Sequence, residues 1–365
     1  MALTVGPGGT PNQVTINLDA VFSTSLANYN RTLVDNITKS NVFFFELSKR
    51  SLWKSTDGGM YLVEPLLYGL ATPQAYSGYD VLSTEPTDGI TQALFDWAQA
   101  AVPCSISGLE EIRNRQKIVD LIDAKIQQSE MGIKEWFSKA FLQGSLLSGG
   151  SSLSNPYVEP TNGATFIQPL FKLISYSSTP GGSDGAQPTF SNVVGGLDQA
   201  TNAWWRNWTI SSAATTYMGL LLEFDKMYDL VSRGPGGPPN LIWCDETTKR
   251  LLNAAYYQAY RTQMTSDGNY PFDNVKFRNC YVVCDEFMPD VHSGTVSTAT
   301  YGTAVFMNTN FMKMRYDSQT NFKAGAFKTP INQDAQVKHI LWAGNSIVNN
   351  RRKLGVIGKI ARTLT

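Results

Sequence analysis

Charged side chains are scarce in this sequence. Only 16% of the 365 residues are charged, whereas an ordinary soluble domain has about 25%. Aromatic residues make up 12% of the chain, and its length favours two subdomains. Between residues 141 and 203 only four side chains carry a charge, and these are Glu159, Lys172, Asp184 and Asp198. Such a segment is either a subdomain core with uncharged loops or a surface that another chain covers.

The chain also lacks a net charge, because 30 basic residues balance 30 acidic residues. This balance excludes a protein that coats nucleic acid through an overall positive charge. Residues 311–365, however, contain ten Lys or Arg and only two acids, so these 55 residues carry +8 and the first 310 carry −8. The asymmetry favours contacts between copies of the chain, and a basic inner surface would tolerate DNA. A solvated basic strand edge is the alternative.

Cysteine and histidine are too few and too scattered for a metal site. The four cysteines lack the closely spaced pairs of a zinc site, and the only histidines are His292 and His339. We expect the cysteines to be small buried residues in a reducing compartment. Cys280 and Cys284 would lie on one face of a strand, too far apart for a disulfide. We therefore expect no metal and no cofactor.

No set of catalytic residues stands out. The run Gly181–Gly185 matches the Gly-x-Ser-x-Gly nucleophile elbow of hydrolases by its letters. An elbow needs a strand before it and a helix after it, whereas Pro180 precedes this run and Ala186–Pro188 follows it. Neither histidine has a nucleophile and a carboxylate near it in the sequence. We predict that the protein is not an enzyme, with a hydrolase that uses Ser183 as a distant alternative.

Long apolar runs are absent as well. The sequence has no stretch of about 18 apolar residues, which is the length that a membrane-spanning helix needs. Residues 1–12 are rich in Gly, Pro and Thr and lack the apolar core of a leader peptide. We therefore expect an extended arm at residues 1–12, no membrane span and no secretion.

Apolar periodicity predicts a mixed α and β fold. The strongest signal is a helix from Ser107 to about Gln143, which opens with a capping box formed by Ser107 and Glu110. The pattern predicts other helices at 23–39, 215–231 and 245–263, and strands at 60–68, 240–244, 275–283, 303–308, 311–316, 337–342 and 354–360. Residues 151–196 are rich in Gly, Ser, Pro and Asn around the apolar run 166–176, and they predict strands and surface loops. Residues 91–102 are ambiguous, because their alanines favour a helix whereas a strand would complete a hairpin with 60–68.

Several short motifs occur in order along nearly the whole chain. They are Asp57–Gly59 leading to Pro65–Tyr68, Tyr76–Asp80, Gly89–Thr91, Ile106–Glu111, Gly195–Thr201 with Trp205–Asn207, and Asn332–Ala335 through Asn350–Arg352. No single motif is diagnostic, but the ordered set is specific. It resembles the major capsid proteins of tailed bacteriophages, which have the Hong Kong 97 type of capsid fold.

The resemblance implies an α+β fold of that type, divided into four parts. The parts are an N-terminal arm (residues 1–50), an extended β-hairpin loop (51–105), a peripheral domain (106–212 and 311–350) that contains a long spine helix (107–143), and an α/β axial domain (213–310 and 351–365). In this arrangement residues 91–102 become the returning strand of the extended loop, although their local propensity favours a helix.

The resemblance also implies a structural role in a virion. The chain would self-assemble through hexamers and pentamers into an icosahedral bacteriophage capsid that encloses double-stranded DNA, with assembly in the host cytoplasm. Besides copies of itself, its partners would be scaffolding, portal and decoration proteins, and packaged DNA through non-specific contacts. The alternative with the same fold is the shell of an encapsulin-like nanocompartment, which would hold a cargo enzyme instead of DNA.

The residues that we expect at contacts come from the extended loop and from the basic end of the chain. In the loop they are Tyr68, Tyr76 and Tyr79, as contacts between subunits. Near the end of the chain they are Arg351, Arg352 and Lys353, as intersubunit or DNA-side charges.

Overall fold

The computed structural model describes residues 46, 49–50, 52–82, 84–85, 88–113, 121–144, 167–177, 185–260, 275–293, 300–332 and 334–365. The arm predicted at 1–12, the helix predicted at 23–39 and the Ser183 motif fall outside these residues, except for Gly185. The chain divides into two compact units. One comprises Met1–Lys39, Val102–Gly132 and Ala324–Ile340, and the other comprises Ser40–Ala101, Ile133–Lys323 and Leu341–Thr365.

Strands dominate the first part of the chain, and helices follow them. In chain order the elements are β1 (Trp53–Thr56), β2 (Leu62–Leu67), β3 (Ile90–Phe95), β4 (Ala98–Ser107), α1 (Gly108–Arg113), α2 (Leu121–Gln143), α3 (Leu170–Leu173), β5 (Val193–Val194) and β6 (Leu197–Asp198). A short 3-10 turn at Ala203–Trp205 closes this part.

The second part alternates strands with two longer helices. Its elements are β7 (Trp208–Ser211), α4 (Tyr217–Ser232), β8 (Leu241–Cys244), α5 (Glu246–Tyr260), β9 (Val275–Phe277), β10 (Cys280–Cys284), β11 (Gly302–Met307), β12 (Met312–Asp317), β13 (Lys323–Ala324), β14 (Ala335–Val348) and β15 (Leu354–Ile360). Two 3-10 turns, Thr309–Phe311 and Arg351–Lys353, precede β12 and β15.

The sheet with the most strands among the described residues has six, in the order β7–β15–β11–β8–β10–β9, and it contributes to an apolar core. β8 and β11 are buried along their whole length, as their nearly continuous apolar sequences require. β10 runs parallel to β8, β15 runs parallel to β7, and β11 is antiparallel to both of its neighbours. Phe224 of α4 and Leu252 of α5 are fully buried in the same apolar cluster. The predicted strand–helix–strand unit therefore lies at the centre of this core.

Both helices of this core begin at polar caps. At the start of α4 the Thr216 Oγ1 accepts the backbone N–H of Gly219 at 3.1 Å. At the start of α5 the Asp245 carboxylate accepts the backbone N–H of Thr248 at 3.2 Å. Such caps pair backbone donors that have no partner inside the helix. The helix predicted at 215–231 is confirmed, and the one predicted from Asp245 is confirmed as far as Tyr260.

Residues 275–283 form two strands, not the single strand that the pattern predicts. β9 and β10 are antiparallel, with Phe277 opposite Cys280. The chain therefore reverses at Arg278, whose backbone has the left-handed φ of 50° and whose guanidinium pairs with Asp229 at 2.7 Å. The pattern missed the reversal because this turn contains neither the glycine nor the proline that usually marks one.

A second sheet is built around β12. β12 pairs in parallel with β1 and antiparallel with β14, and β14 also pairs with β4 and β13. β14 continues to Val348, beyond the predicted end at Trp342, and most of the added residues are buried. Next to this sheet the Phe137 ring lies 4.7 Å from that of Trp342 and 5.8 Å from that of Trp53. The contact between Phe137 and Trp342 is edge-to-face, a geometry that adds to the stability gained by burying the rings.

The long helix predicted at 107–143 contains the described helices α1 and α2. At its start the predicted capping box is present, since the Ser107 Oγ accepts the Glu110 N–H at 3.2 Å and a Glu110 oxygen accepts the Ser107 N–H at 3.0 Å. The same carboxylate pairs with Lys125 at 2.8 Å, and this hydrogen bond lowers the pKa of Glu110. The other end of the predicted helix is also observed, at Gln143. Residues 114–120 lie outside the described residues.

Of the strands predicted within 151–196, the described residues contain β5 at Val193–Val194, whereas the apolar run 166–176 contains the short helix α3, which corrects the prediction at that run. Pro169 precedes this helix with a φ of −72°, a value that suits the entry into a helical turn. The four residues of the helix include Leu170, Phe171 and Leu173, which are buried. The apolar run therefore reflects burial and not an extended backbone.

Candidate assembly surface

β2 and β3 form a two-stranded antiparallel hairpin that has two different faces. The pairing sets Leu62 opposite Phe95, Glu64 opposite Ala93, and Leu67 opposite Ile90. Along β2 the residues alternate strictly between buried and exposed, as the twofold period of a strand predicts. One face, called the inner face here, is covered by residues of the same unit. The other, called the outer face, is exposed.

The inner face packs closely against the turn between β5 and β6. Gly195 in this turn has a φ of 62°, and a Cβ atom there would lie only 2.8 Å from the Ala93 Cβ. The Leu94 N–H also donates to the Gly195 carbonyl oxygen at 3.0 Å. Glycine is therefore required at this position both for the backbone conformation and for the close approach of the hairpin.

A buried ion pair lies in the middle of the inner face. The Glu64 residue is only 5% exposed, and its carboxylate pairs with the guanidinium of Arg315 on β12. An unpaired carboxylate at this depth would be strongly unfavourable. The pair therefore fixes the register of the hairpin on the body of its own unit.

Hydrogen bonds hold both ends of the hairpin. Where its strands enter and leave the body, the Trp97 Nε1 donates to the Gly59 carbonyl oxygen at 2.8 Å, and the Asn345 Nδ2 donates to the Asp96 carbonyl oxygen at 2.7 Å. At the far end the Tyr68 N–H donates to the Gly89 carbonyl oxygen at 2.8 Å. The hairpin is thus fixed by hydrogen bonds at both of its ends.

The outer face is apolar, yet nothing in the described part of the chain covers it. Its four large side chains are Val63, Leu67, Ile90 and Leu94, of which Leu67 is 69% exposed and Ile90 is 72% exposed. Val63 lies opposite Leu94, and Leu67 lies opposite Ile90, with the exposed pair Pro65 and Gln92 between them on the same face. A patch of this kind on a surface is typical of a site that another chain covers.

The segment that joins β2 to β3 is also rich in exposed apolar residues. They are Leu70, Tyr76, Tyr79, Val81 and Leu82, which are between 48% and 103% exposed. A turn at residues 77–80 is held by the Ser77 N–H, which donates to the Asp80 carboxylate at 2.7 Å. Of the predicted loop contacts, Tyr76 and Tyr79 therefore lie on an open surface.

Tyr68 has a mixed position. Its ring stacks on that of Trp204 with 5.2 Å between the ring centroids, while 39% of the residue remains exposed. The sequence analysis predicted neither Trp204 nor the outer-face residues as contacts. The outer face could have been found from the sequence, because β2 and β3 carry apolar residues on both faces of the hairpin and not on one face only.

Arg351 is buried, and the structure corrects the prediction that it lies on a surface. Its Nε donates to the Leu173 carbonyl oxygen at 2.8 Å, its Nη1 to the Trp205 carbonyl oxygen at 3.1 Å, and its Nη2 to the Ser175 Oγ at 2.9 Å. Burial lowers the pKa of Arg351 to about 9, so the group still carries its charge at neutral pH. Its donors are used inside the subunit, where they join the residues before β7 to the turn before β15.

Lys353 is buried as well, and the same correction applies to it. Its Nζ donates to three carbonyl oxygens, those of Ser232 at 3.2 Å, Gly234 at 3.1 Å and Gly237 at 3.0 Å. These groups lie at and just beyond the C-terminal end of α4, where carbonyl oxygens lack partners within the helix. Of the three predicted basic contacts, only Arg352 is exposed.

The described residues do not assemble a metal site. They contain no group of three or more Cys, His, Asp or Glu that could hold a metal ion. The four cysteines are free thiols, three of them buried, and burial raises the pKa of Cys280 to about 12, which keeps it protonated. The Nδ1 of His292 lies 3.1 Å from the Tyr176 hydroxyl. No helix in the described part of the chain is long and apolar enough to cross a membrane.

Comparison with known proteins finds relatives in structure only. A scan against protein-family models gives no match, and a search of curated proteins gives none either. The capsid asymmetric unit of cyanophage A-1(L) is similar with a TM-score of 0.61 at 12% identity, over 92% of this chain and 97% of that chain. The capsid of Myoviridae phage XM1 is similar with a TM-score of 0.56 at 10% identity, over 92% and 98% of the two chains.

An encapsulin is also similar in structure. The encapsulin of Synechococcus elongatus gives a TM-score of 0.51 at 9% identity, over 91% of this chain and 97% of that chain. Both kinds of protein match along nearly their whole length, which confirms the mixed helix and sheet fold of the capsid type. The chain has the mixed helix and sheet fold that these phage capsid and encapsulin subunits share.

Proposed function

We propose that this chain is a structural shell protein that assembles with copies of itself, through hexamers and pentamers, into an icosahedral bacteriophage capsid around double-stranded DNA. The observation that carries the proposal is the β2–β3 hairpin. It is anchored on its inner face by Glu64 and Gly195, while its outer face and its connecting loop present uncovered apolar side chains. A subunit with the capsid fold and such a surface is complete only when a neighbour covers it.

The four predicted parts of the fold belong to the proposal. The hairpin and its connecting segment correspond to the extended loop at 51–105, and α1 and α2 to the spine helix at 107–143. Five strands of the six-stranded sheet fall within the proposed axial domain at 213–310 and 351–365, and the sixth, β7, lies just before residue 213. The arm at 1–50 and the peripheral domain at 106–212 and 311–350 complete the assignment.

Contacts between subunits are assigned to the exposed members of the predicted set. Tyr76 and Tyr79 would insert into a neighbour, since aromatic side chains contribute much of the binding energy at protein interfaces. Tyr68 would support them from the stack on Trp204. Arg352 is the basic residue left for a contact with a neighbour or with packaged DNA. Scaffolding, portal and decoration proteins would be further partners, and the role requires no catalysis.

Deletion of the loop tests the role of the hairpin. We expect a chain without Ala71–Thr87 to fold and to remain in solution as small species, whereas the full chain forms closed particles visible by negative-stain electron microscopy. Joining Leu70 to Asp88 keeps the backbone hydrogen bond between Tyr68 and Gly89, so β2 and β3 retain their turn. Intact shells from the deleted chain would refute the proposal that this loop holds neighbouring subunits together.

An encapsulin-like compartment is the second candidate, because an encapsulin shares the fold over nearly the whole chain. The two candidates predict different contents for the particle. Particles produced in the native host would contain nuclease-protected DNA in the first case and a single cargo enzyme in the second. Extraction of purified particles, followed by gel analysis of nucleic acid and protein, distinguishes them.

A further inference from the structure

Two of the four free thiols lie side by side at the ends of neighbouring strands. β8 and β10 are parallel, and the register that joins them sets Cys284 directly opposite Cys244. Neighbouring strands lie about 4.8 Å apart, and residues that are partners in register project from the same face of the sheet. A disulfide bond spans about 4.4–6.8 Å between Cα atoms. The backbone geometry therefore permits a bond between these two cysteines.

The side chain of Cys244 reaches towards β10. Its Sγ donates to the Val283 carbonyl oxygen of that strand at 3.6 Å, so the sulfur lies next to the backbone that carries Cys284. Cys244 is fully buried in the apolar cluster that includes residues of α4 and α5, whereas Cys284 is partly exposed. An oxidant in solution therefore has access to one thiol of the pair, and the second thiol lies beside it.

Neither of the other two cysteines is set opposite a thiol by the strand pairing of the described residues. Cys280 lies on the same strand as Cys284, but its partner on β9 is Phe277 and its Sγ donates to the Pro239 carbonyl oxygen at 3.0 Å. Four residues along a strand separate Cys280 from Cys284 by about 13 Å. Cys104 belongs to β4, in a different sheet. The register thus singles out one pair, which no local spacing in the sequence reveals.

The surroundings of the pair influence how readily its thiols ionise. Burial is the main influence on both, and it raises the pKa of Cys244 and the pKa of Cys284. The Lys249 ammonium on α5 acts in the opposite direction and lowers the pKa of both. The thiolate is the form that reacts with an oxidant, so oxidation should be slow at neutral pH and faster at higher pH.

We propose that Cys244 and Cys284 form an intrachain disulfide when the chain meets a peroxide. The Cys284 sulfur attacks one oxygen of hydrogen peroxide, the O–O bond breaks, and a sulfenic acid forms with release of water. The Cys244 thiol then loses its proton, its sulfur attacks the Cys284 sulfur, the S–O bond breaks, and a second water leaves. Two thiols are oxidised to one disulfide, and one peroxide is reduced to two molecules of water.

The bond closes a loop that contains α5 and β9, because both elements lie between Cys244 and Cys284 in the chain. A crosslink over a long loop restricts the unfolded chain and thereby stabilises the folded chain. Under the proposed shell function, subunits are made in a cytoplasm that keeps thiols reduced, and released particles meet oxidising conditions. The disulfide itself does not rest on that function, since one chain supplies both cysteines and the strands that hold them.

Mass mapping of the oxidised chain tests the site. The full chain is treated with hydrogen peroxide at mildly alkaline pH, its remaining thiols are alkylated in denaturant, and its digest is analysed by mass spectrometry. We expect a peptide pair that joins Cys244 to Cys284 and lacks two hydrogens, while Cys104 and Cys280 are alkylated. The thiol count should fall to half of the four free thiols of the reduced chain. A link that uses Cys280, or a Cys284 that is oxidised further without a link, would overturn the proposal.

Matched variants separate the bond from other effects of oxidation. Cys280→Ser removes a buried thiol of the same strand and should keep the link, whereas Cys244→Ser should lose it. Cys284→Ser replaces the partly exposed thiol and gives the same test if Cys244→Ser does not fold, which circular dichroism reports.

Thermal unfolding tests the stabilising role of the bond. The oxidised wild-type chain should unfold about 3–5 °C above the chain kept in dithiothreitol, and this difference should vanish in Cys284→Ser. An equal or lower midpoint in the linked wild type would overturn the stabilising role. All of these measurements use the unassembled chain, so a chain that never forms shells would contradict the shell function and leave the disulfide intact.

Discussion

The outer face of the β2–β3 hairpin gives the most direct prediction. Leu67 and Ile90 lie opposite each other on this face and are 69% and 72% exposed. We consider the double variant Leu67→Thr with Ile90→Thr, which removes the apolar surface and keeps residues that favour strands. Because both positions are already exposed in the single chain, the stability of the unassembled subunit should change by less than about 0.5 kcal/mol.

The effect on assembly should be much larger. Complete burial of a Leu or Ile side chain contributes about 1.5–3 kcal/mol, and roughly two thirds of each side chain remains to be buried by a neighbour. The two residues together therefore contribute about 2–4 kcal/mol per contact, which corresponds to about a 30- to 700-fold change in the dissociation constant of that contact. A shell repeats the contact in every subunit, so the threshold concentration for closed particles should rise by at least the lower figure.

Two measurements separate these effects. Urea unfolding of the unassembled chain reports the stability of the subunit, and sedimentation velocity reports the fraction of the chain in particles. The matched control is Leu66→Thr on the inner face, where the residue is 5% exposed; its substitution should cost about 2–4 kcal/mol of subunit stability. The reasoning is refuted if the outer-face variant assembles at the wild-type concentration, or if it loses as much stability as the inner-face control.

Two further predictions concern buried charged groups. Arg351→Met should lower the free energy of unfolding by about 3–5 kcal/mol, because it leaves the Leu173 and Trp205 carbonyl oxygens without their donor. The control Arg352→Met should change the free energy of unfolding by less than about 0.5 kcal/mol. Equal effects of the two variants in urea titrations would contradict an internal role for Arg351. Burial raises the pKa of Asp285 to about 6, so the folded chain binds more protons than the unfolded chain between about pH 4 and pH 6, and its stability should fall as the pH rises through this window. Asp285→Asn should remove this decline in stability, which amounts to at most about 3 kcal/mol. Thermal unfolding at a series of pH values measures the decline, and the same dependence of stability on pH in Asp285→Asn as in the wild type would show that Asp285 is not its cause.

The elements that could be predicted from the sequence are those whose signals are local. The capping box at Ser107 marks the start of α1, and the cap at Asp245 marks the start of α5. β15 lies at the predicted residues 354–360 because its apolar run ends at clear boundaries. In each case the chemistry that defines the element is contained within a few neighbouring residues.

Other features depend on contacts that are distant in the sequence. Residues 91–102 lie in strands, as the family resemblance implied and against the helix preference of their alanines. β3 has Leu62–Leu67 as its partner strand and packs on Gly195, and β4 pairs with β14. The short helix α3 was missed because its apolar side chains face the core from a single turn. Arg351 and Lys353 were placed on the surface because a cluster of three basic residues usually indicates solvent exposure. Arg351 and Lys353 are instead buried, because they donate hydrogen bonds to carbonyl oxygens that lie more than a hundred residues away in the sequence.

The candidate surface follows from a feature of the sequence that residue propensity does not describe. A strand that packs on one side only alternates apolar and polar residues, as β-sheets with one solvated face do. In β2 and β3 the residues that face the body and the residues that face away are both largely apolar. Burial inside the subunit accounts for one of these faces, through Leu62, Ala93 and Phe95. The second apolar face has no partner among the described residues. Under the proposed shell function a neighbouring copy supplies that partner, which accounts for an apolar sequence on both faces of the hairpin.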